Sequence, residues 1–573
     1  MGTVVAFLAV SQGFALTIWK TIPLSPASKG SIPKVAHNVT VLNNSPPNRP
    51  FAVNIVEGKD TYASDSHKEA GYENETKETD KQDKLASDYI PNSHKEVKVE
   101  KDYPQAITNL TLGGVQNHVG ILPFVSEGIS SKGLGNFCAD SRTLFFADNN
   151  ISTAANVEPT TKMQPKHKKT RPMQTVSITQ MSSLLQKSHV SSWSTRSRWS
   201  SVQDRELLSA KLEISNAPIV MNSPGLHASV FRNASKFRRS YELMEQKLKV
   251  YIYREGEKPI FHQPLLRGIY ASEGWFMKLI EANKRFVVRD PRKAHLFYLP
   301  FSSQMLRMNF MGSKKVQEKY LKNYVELIAS KYRFWNRTGG ADHFLVACHD
   351  WASRVTRQHM RNCIRSLCNA NVAKDFKIGK DTTLPVTYIR SGEDPLKDLG
   401  GKPPSQRCIL AFFAGSMHGY VRPLLLEYWE NKVPNMKIFG PMPRDIEGKR
   451  KYREYMKDSK YCICARGYEV HTPRVVESIF YGCVPVIILD NYVPPFFEVL
   501  NWEALSVFVL EKDIPNLRNI LLSIPEEKYL SMQLRVKMVQ KHFLWHKKPV
   551  KYDIFHMVLH SIWYNRVHQM KST

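Results

Sequence analysis

The chain has 573 residues, 42% of them apolar and 11% aromatic, which excludes wholesale disorder and is too long for one compact core. Lys and Arg (81) outnumber Asp and Glu (52), and the resulting charge of +29 favours an anionic partner: a nucleotide phosphate, a membrane surface, an acidic polysaccharide or nucleic acid. Eight cysteines are too few for a disulfide scaffold of this length. Residues 3 to 19, TVVAFLAVSQGFALTIW, are mostly apolar and uncharged, and residues 1–20 are read as a weak signal anchor. From 21 to 205 the chain is rich in Ser, Thr, Asn, Lys and Glu. The stretch KEAGYENETKETDKQDK (68–84) has almost nothing to bury, so the whole region is expected to be a disordered stem. Sequons cluster there at Asn38, Asn43, Asn74, Asn109 and Asn150, with two more at Asn233 and Asn336. Such a cluster behind an apolar N-terminus favours a glycosylated, lumenal stem.

Order is expected from near Arg205. Helical spacing over 206–214 and 238–248 gives way to a strand at 249–253 and a helix at 270–283. A buried strand (294–301), an amphipathic helix (314–332) and another buried strand, DHFLVACHDW (342–351), come next. LGGKPPSQR (399–407) reads as the hinge. Beyond it lie strands at 408–415, 436–440, 460–467, 484–490 and 505–511, with helices at 419–431, 448–459 and 472–482, and tail helices at 514–524 and 525–545. Strands alternating with helices imply parallel sheets, hence two α/β halves in series, 206–398 and 399–573. Ligands of such sheets bind beyond the carboxyl ends of the strands, so two facing halves would enclose a cleft.

CICARGYEVHTPRVVESIFYGCVPVI (462–487) carries the densest chemistry. A strand runs into a loop holding Arg466, Gly467, Glu469 and His471, which enters a helix with Thr472 as expected N-cap and Pro473 at its first position. A helix start with Arg474 in its first turn suits a diphosphate, and Glu477, one turn on, suits the hydroxyls of a ribose. The competing reading of the same spacing is an Arg474–Glu477 surface ion pair. No Asp-x-Asp, His-Glu-x-x-His or paired Cys-x-x-Cys occurs. No metal or other cofactor is therefore expected, and cationic side chains take the metal's role.

Here the sequence resembles the exostosin family of glycosyltransferases, and most closely its plant cell-wall branch. The resemblance is carried by CARGYEVHTPRVVESIFYGCVPVIILDNYVPPFFEVLNWE (464–503), KVYIYREGEKPIFH (249–262), YASEGWFMKLI (270–280), DPRKAHLFYLPFS (290–302), WNRTGGADHFLVACHDW (335–351), ILAFFAGSMHGYVRPLLLEYW (409–429) and FHMVLHSIWYNRV (555–567). It implies a GT-B fold, with two Rossmann-like domains facing across an active-site cleft. It also implies inverting transfer from a nucleotide sugar, a UDP-sugar, by a single-pass type II protein of the Golgi membrane whose catalytic region is lumenal. The donor motif falls on Arg466, Gly467, Arg474 and Glu477, and its companion loop and helix on Gly415 and Arg422, with His418 between them.

Inverting transfer needs a base for the acceptor hydroxyl and stabilisation of the departing diphosphate. Arg422, Arg466 and Arg474 are the candidates for the second task. For the first, CHDW (348–351) puts His349 and Asp350 at a strand's carboxyl end, and either could serve; Glu469 is the second choice, from the opposite lip. Trp351 is the best candidate for stacking on a sugar, whereas Trp275 and Trp335 suit core packing. The expected partners are a nucleotide sugar, a polysaccharide acceptor such as pectin or xyloglucan, the Golgi membrane and other glycosyltransferases in a complex. No nucleic-acid-binding signature occurs. The alternative function is a non-catalytic glycan-binding or complex-partner member of the same fold. Cysteine pairing is not readable; Cys363 with Cys368 is conceivable but awkward, and Cys462 and Cys464, on one face of a strand, should not pair.

Overall fold

The computed structural model describes residues 8–10, 14–16, 175–190, 197–219 and 225–571. Strands β1 (Leu8–Val10) and β2 (Phe14–Leu16) pair antiparallel in a small unit of their own spanning Met1–Ala70. The remainder of the expected anchor and most of the expected stem lie outside the described residues. Among the described residues no helix is long and apolar enough to cross a membrane.

The larger unit holds two five-stranded parallel sheets. The amino sheet runs in simple order through β3 (Val250–Ile252), β4 (Leu296–Tyr298), β5 (His343–Ala347), β6 (Ile364–Leu367) and β7 (Thr382–Thr383). The carboxyl sheet contains β8 (Ile409–Ala414), β9 (Met436–Phe439), β10 (Ser459–Ala465), β11 (Val484–Ile488) and β12 (Val507–Phe508), in the order β12-β11-β10-β8-β9. The chain leaves β8 for β9 on one side and returns as β10 on the other, so the point where the winding reverses lies between β8 and β10. Strands β5 and β11 are buried along their whole length, as parallel strands covered on both faces must be. Two Rossmann-like halves of this kind are the GT-B architecture.

Local signals account for most helix boundaries. The side chains of Asn233, Ser313 and Asp553 cap the helices Ala234–Lys247, Lys314–Lys331 and Ile554–Gln569 by accepting from Lys236, Val316 and His556 N–H groups. Three boundaries differ from the sequence expectation. The larger unit already includes residues ahead of Arg205, because the helix Ile178–Val190 has apolar residues to bury: Met181 and Leu185 are both in the core. Its approach is tied down by Thr175 Oγ1 donating to Asp490 Oδ2 at 3.2 Å and Val176 N–H donating to Asn491 Oδ1 at 2.8 Å. The hinge also falls earlier than residues 399–407, since Gly400 and Lys402 N–H donate to Phe480 and Lys457 carbonyls within the carboxyl half. Finally, the helix Ile554–Gln569 returns to the amino half instead of staying with the carboxyl one. Phe555 packs 5.6 Å from Phe276, and Asn565 Nδ2 donates to the Asp381 carbonyl at 3.1 Å. That helix is buried on nearly every side, its apolar residues packed in the core and its His560 and Asn565 given hydrogen-bond partners by Ser240 and by the Lys380 and Asp381 carbonyls.

Met181→Ala and Leu185→Ala are each expected to destabilise the protein by about 2 kcal/mol or more, the cost of emptying a core site. Urea unfolding checks this; unchanged midpoints would mean the helix Ile178–Val190 is a detached part of the stem.

Among the described residues two disulfides join neighbouring strands, one at the carboxyl end of the amino sheet and one near the amino end of the carboxyl sheet. Cys348, after β5, is bonded to Cys368, after β6, and Cys462 in β10 to Cys483 before β11. The Cys363–Cys368 pairing is thus replaced, and Cys363 and Cys464 are buried free thiols.

Candidate active site

Beyond the carboxyl ends of β8 and β10 two arginines converge. Arg474, at the start of the helix Arg474–Phe480, donates to the Ala414 carbonyl from Nε at 3.1 Å and from Nη2 at 2.5 Å, and from Nη1 to Thr472 Oγ1 at 3.3 Å. Thr472 therefore aims Arg474, while the N-cap position itself falls on Pro473. Arg422, in the first turn of Val421–Trp429, is buried and donates from Nη1 to the Ser416 carbonyl at 2.9 Å; its Nε is buried without a partner among the described residues. Burial, then the charge of Arg474, lowers the Arg422 guanidinium to about 9. Among the described residues neither arginine is paired with a carboxylate. Two glycines make the room: a Cβ at Gly415 would lie 2.4 Å from Arg474 Nη2, and one at Gly467 would lie 3.0 Å from Arg422 Nη2. His418 stacks on Tyr468 at 4.4 Å, and burial, with the charge of Arg422 next, lowers its imidazole to about 4, so it is neutral.

The other candidates have partners. Arg466 lies 3.6 Å from Glu511 and covers Tyr420. Glu477 is buried and makes no pair with Arg474; it accepts from Tyr452 Oη at 2.9 Å and from Arg390 Nη2 at 3.4 Å, Arg390 reaching it from the segment that joins the halves. Glu469 is held by Lys374 Nζ at 3.0 Å, across the boundary between the halves.

From the amino half, the turn after β5 brings His349 and Asp350 to the same boundary, both buried. Asp350 Oδ1 accepts from Tyr270 Oη at 3.0 Å and lies 3.0 Å from Nε2 of His471 in the carboxyl half. Burial alone would raise the Asp350 carboxyl, but His471, His349 and the Tyr270 hydroxyl outweigh it and hold it at about 2. His349 Nδ1 accepts from the Trp351 N–H at 3.1 Å. Trp351 carries Arg307 and Lys314 over its ring, at 4.3 and 4.4 Å, whereas Trp275 and Trp335 are core residues. Under the turn lies Glu273, buried, whose carboxylate accepts from Ser302 and Ser303 hydroxyls and from Gln304 and Cys348 N–H groups.

Because its folded pKa is depressed, Asp350 contributes stability that is present above the unfolded carboxyl value of about 4 and is lost as pH falls toward about 2. The contribution is on the order of 2 kcal/mol. In Asp350→Asn the loss of urea stability between pH 5 and pH 2.5 should be smaller than in the wild type by that amount; equal losses would show that His471 and Tyr270 do not stabilise the carboxylate.

Sequence reasoning passed over His471 as a chemical group, along with Tyr270, Glu273, Arg390 and Tyr452. Glu273 was the most accessible of these, as an acid on a helix whose other members are nearly all apolar must have donors waiting for it.

Residues 244–524 match the model of the Exostosin GT47 domain. The Arabidopsis thaliana protein named "Probable glycosyltransferase At3g07620" is 43% identical over 350 residues, covering 60% of this chain and 73% of that protein. The chain belongs to the exostosin GT47 family of glycosyltransferases. "Probable glycosyltransferase At5g03795" from the same plant is 46% identical over 346 residues, 59% of this chain and 66% of the relative. A more distant GT47 relative, "Probable beta-1,4-xylosyltransferase IRX10L" of Arabidopsis thaliana, is 29% identical over 345 residues, 55% of this chain and 81% of its own length. Within this GT47 domain lie all ten residues singled out in the sequence for donor binding and catalysis.

Proposed function

We propose that the chain is an inverting glycosyltransferase that moves a sugar from a nucleotide sugar, a UDP-sugar, to a cell-wall polysaccharide such as pectin or xyloglucan. The observation that carries this reading is the pair Arg422 and Arg474. Like charges brought together at a buried strand end, with no carboxylate beside them among the described residues, are unfavourable until an anion arrives. A diphosphate is the anion that two forked guanidiniums at a winding reversal suit best. The same charges then stabilise the leaving diphosphate, the role a metal ion plays in other transferases. The name of the xylosyltransferase relative supports placing UDP-xylose first among the donors to be tried.

Heating the protein with UDP tests the donor half of this reading, since a ligand of the folded state raises apparent stability. Release of UDP with wall oligosaccharides tests the transfer. Protection without turnover on any donor and acceptor pair would favour the non-catalytic partner, and no protection by any nucleotide would remove the reading altogether.

We further infer a single-pass type II protein of the Golgi membrane with a lumenal catalytic region. The sequon cluster and the Cys348–Cys368 and Cys462–Cys483 disulfides, which fit an oxidising compartment, support it. Endoglycosidase-sensitive mass and protection from protease in sealed membranes are the expected results.

A further inference from the structure

We propose that His471, oriented by Asp350 across the boundary between the two halves, is the base that takes the acceptor proton. The proposal rests on the transferase reading above and names a residue for it. His471 is nine-tenths buried, its Nε2 lies 3.0 Å from Asp350 Oδ1, and its Nδ1 is buried with no hydrogen-bond partner among the described residues. An imidazole that donates from Nε2 to a carboxylate carries a bare lone pair on Nδ1, and the carboxylate fixes that tautomer and the ring's orientation. The loop position matters equally. Thr472, the next residue, aims Arg474, so one short loop carries both a proton acceptor and a cation for the leaving group.

The alternatives are each engaged otherwise. His349 accepts the Trp351 N–H on Nδ1, so that lone pair is already engaged. Asp350 already accepts from Tyr270 and faces His471, and a carboxylate held far below neutral pH is a weak base. Glu469 is neutralised by Lys374. The titratable and charged groups facing the His471–Asp350 pair are Tyr270 and His349 from the amino half and His418 from the carboxyl half, with Arg422, Arg474 and Arg444 beyond His418.

In the step, the proton of the acceptor hydroxyl passes to His471 Nδ1 while its oxygen bonds to the anomeric carbon. The bond from that carbon to the diphosphate oxygen breaks, and its electron pair leaves with the diphosphate towards Arg422 and Arg474. The imidazolium, paired with Asp350, then returns its proton to solvent.

The test uses the full chain and a UDP-sugar with which the wild type releases UDP in the presence of acceptor. His471→Gln and His471→Ala are expected to keep heat protection by UDP and the donor KM, and to lose kcat by ~10²–10⁴-fold. Added imidazole should restore part of the turnover of His471→Ala only. The acid limb of kcat/KM should move to lower pH in Asp350→Asn, because the imidazolium loses its counter-charge. Turnover of His471→Gln within about threefold of the wild type would overturn the proposal, given the far larger effect expected of a base. Should neither His471 variant be protected by UDP, the Asp350→Asn profile decides, and an unmoved limb overturns it. A wild type that turns over no UDP-sugar counts against the transferase reading instead.

Discussion

Arg422→Met is expected to abolish protection by UDP while leaving the unliganded protein as stable as the wild type or more so. The two halves of that expectation come from one cause. Arg422 is buried, is lowered to about 9 by burial and by Arg474, and donates to the Ser416 carbonyl. Replacing a buried, carboxylate-free guanidinium by an apolar chain of similar reach removes a desolvation cost and a repulsion at once. Removing a charged partner of a diphosphate costs the complex about 2–5 kcal/mol, which weakens UDP at least about 30-fold. A Tm that rises without ligand and no longer responds to UDP is the signature, measured by thermal unfolding with and without the nucleotide. Arg474→Ala should lose UDP as well, but without the gain in Tm, because its Nε and Nη2 bonds to the Ala414 carbonyl go with it. If Arg422→Met binds UDP as tightly as the wild type, the diphosphate is not held between β8 and β10.

Glu273→Gln is expected to have the second largest effect, on stability and on turnover together. Its carboxylate collects four donors, two hydroxyls and two backbone N–H groups, beneath the turn that presents His349 and Asp350. An amide turns one acceptor oxygen into an NH₂ group facing those donors, leaving buried groups unsatisfied at a cost of about 3 kcal/mol. The turn should loosen, so kcat falls while UDP protection, which depends on the other half, persists. Urea unfolding and UDP titration separate the two readouts. A variant with normal turnover would show that the Cys348–Cys368 disulfide and the Ser303 hydroxyl, which accepts from Cys348 and His349 N–H, hold the turn without the carboxylate.

Much of this site is readable in one dimension because its parts lie in short runs. Gly415, His418 and Arg422 come directly after one buried strand; Arg466, Gly467, Arg474 and Glu477 come after another. A buried parallel strand is a continuous apolar run, and its carboxyl end opens on the cleft, so order along the chain predicts placement. The resemblance to the exostosin family added the GT-B arrangement, and the two parallel sheets agree with it. Partner choice is a different matter. Glu477 and Arg474 stand three apart on one helix, which by spacing alone invites an ion pair, yet Tyr452 and Arg390 take the carboxylate and the Ala414 carbonyl takes the arginine. These partners come from elements 25, 87 and 60 residues away.

The amino-acid sequence by itself determined that this chain builds two α/β halves with a cationic, glycine-lined loop at the end of the second, because strand burial, helix periodicity and turn chemistry are local and act over a few residues. Tertiary structure alone decided that Ile178–Val190 joins the folded body, that Ile554–Gln569 packs on the amino half rather than the carboxyl one, and that His471 meets Asp350. It also decided that Cys348 bonds to Cys368. Each of these depends on which surface a segment finds to cover its apolar side, and that is set by the packing of the whole chain rather than by any window of it.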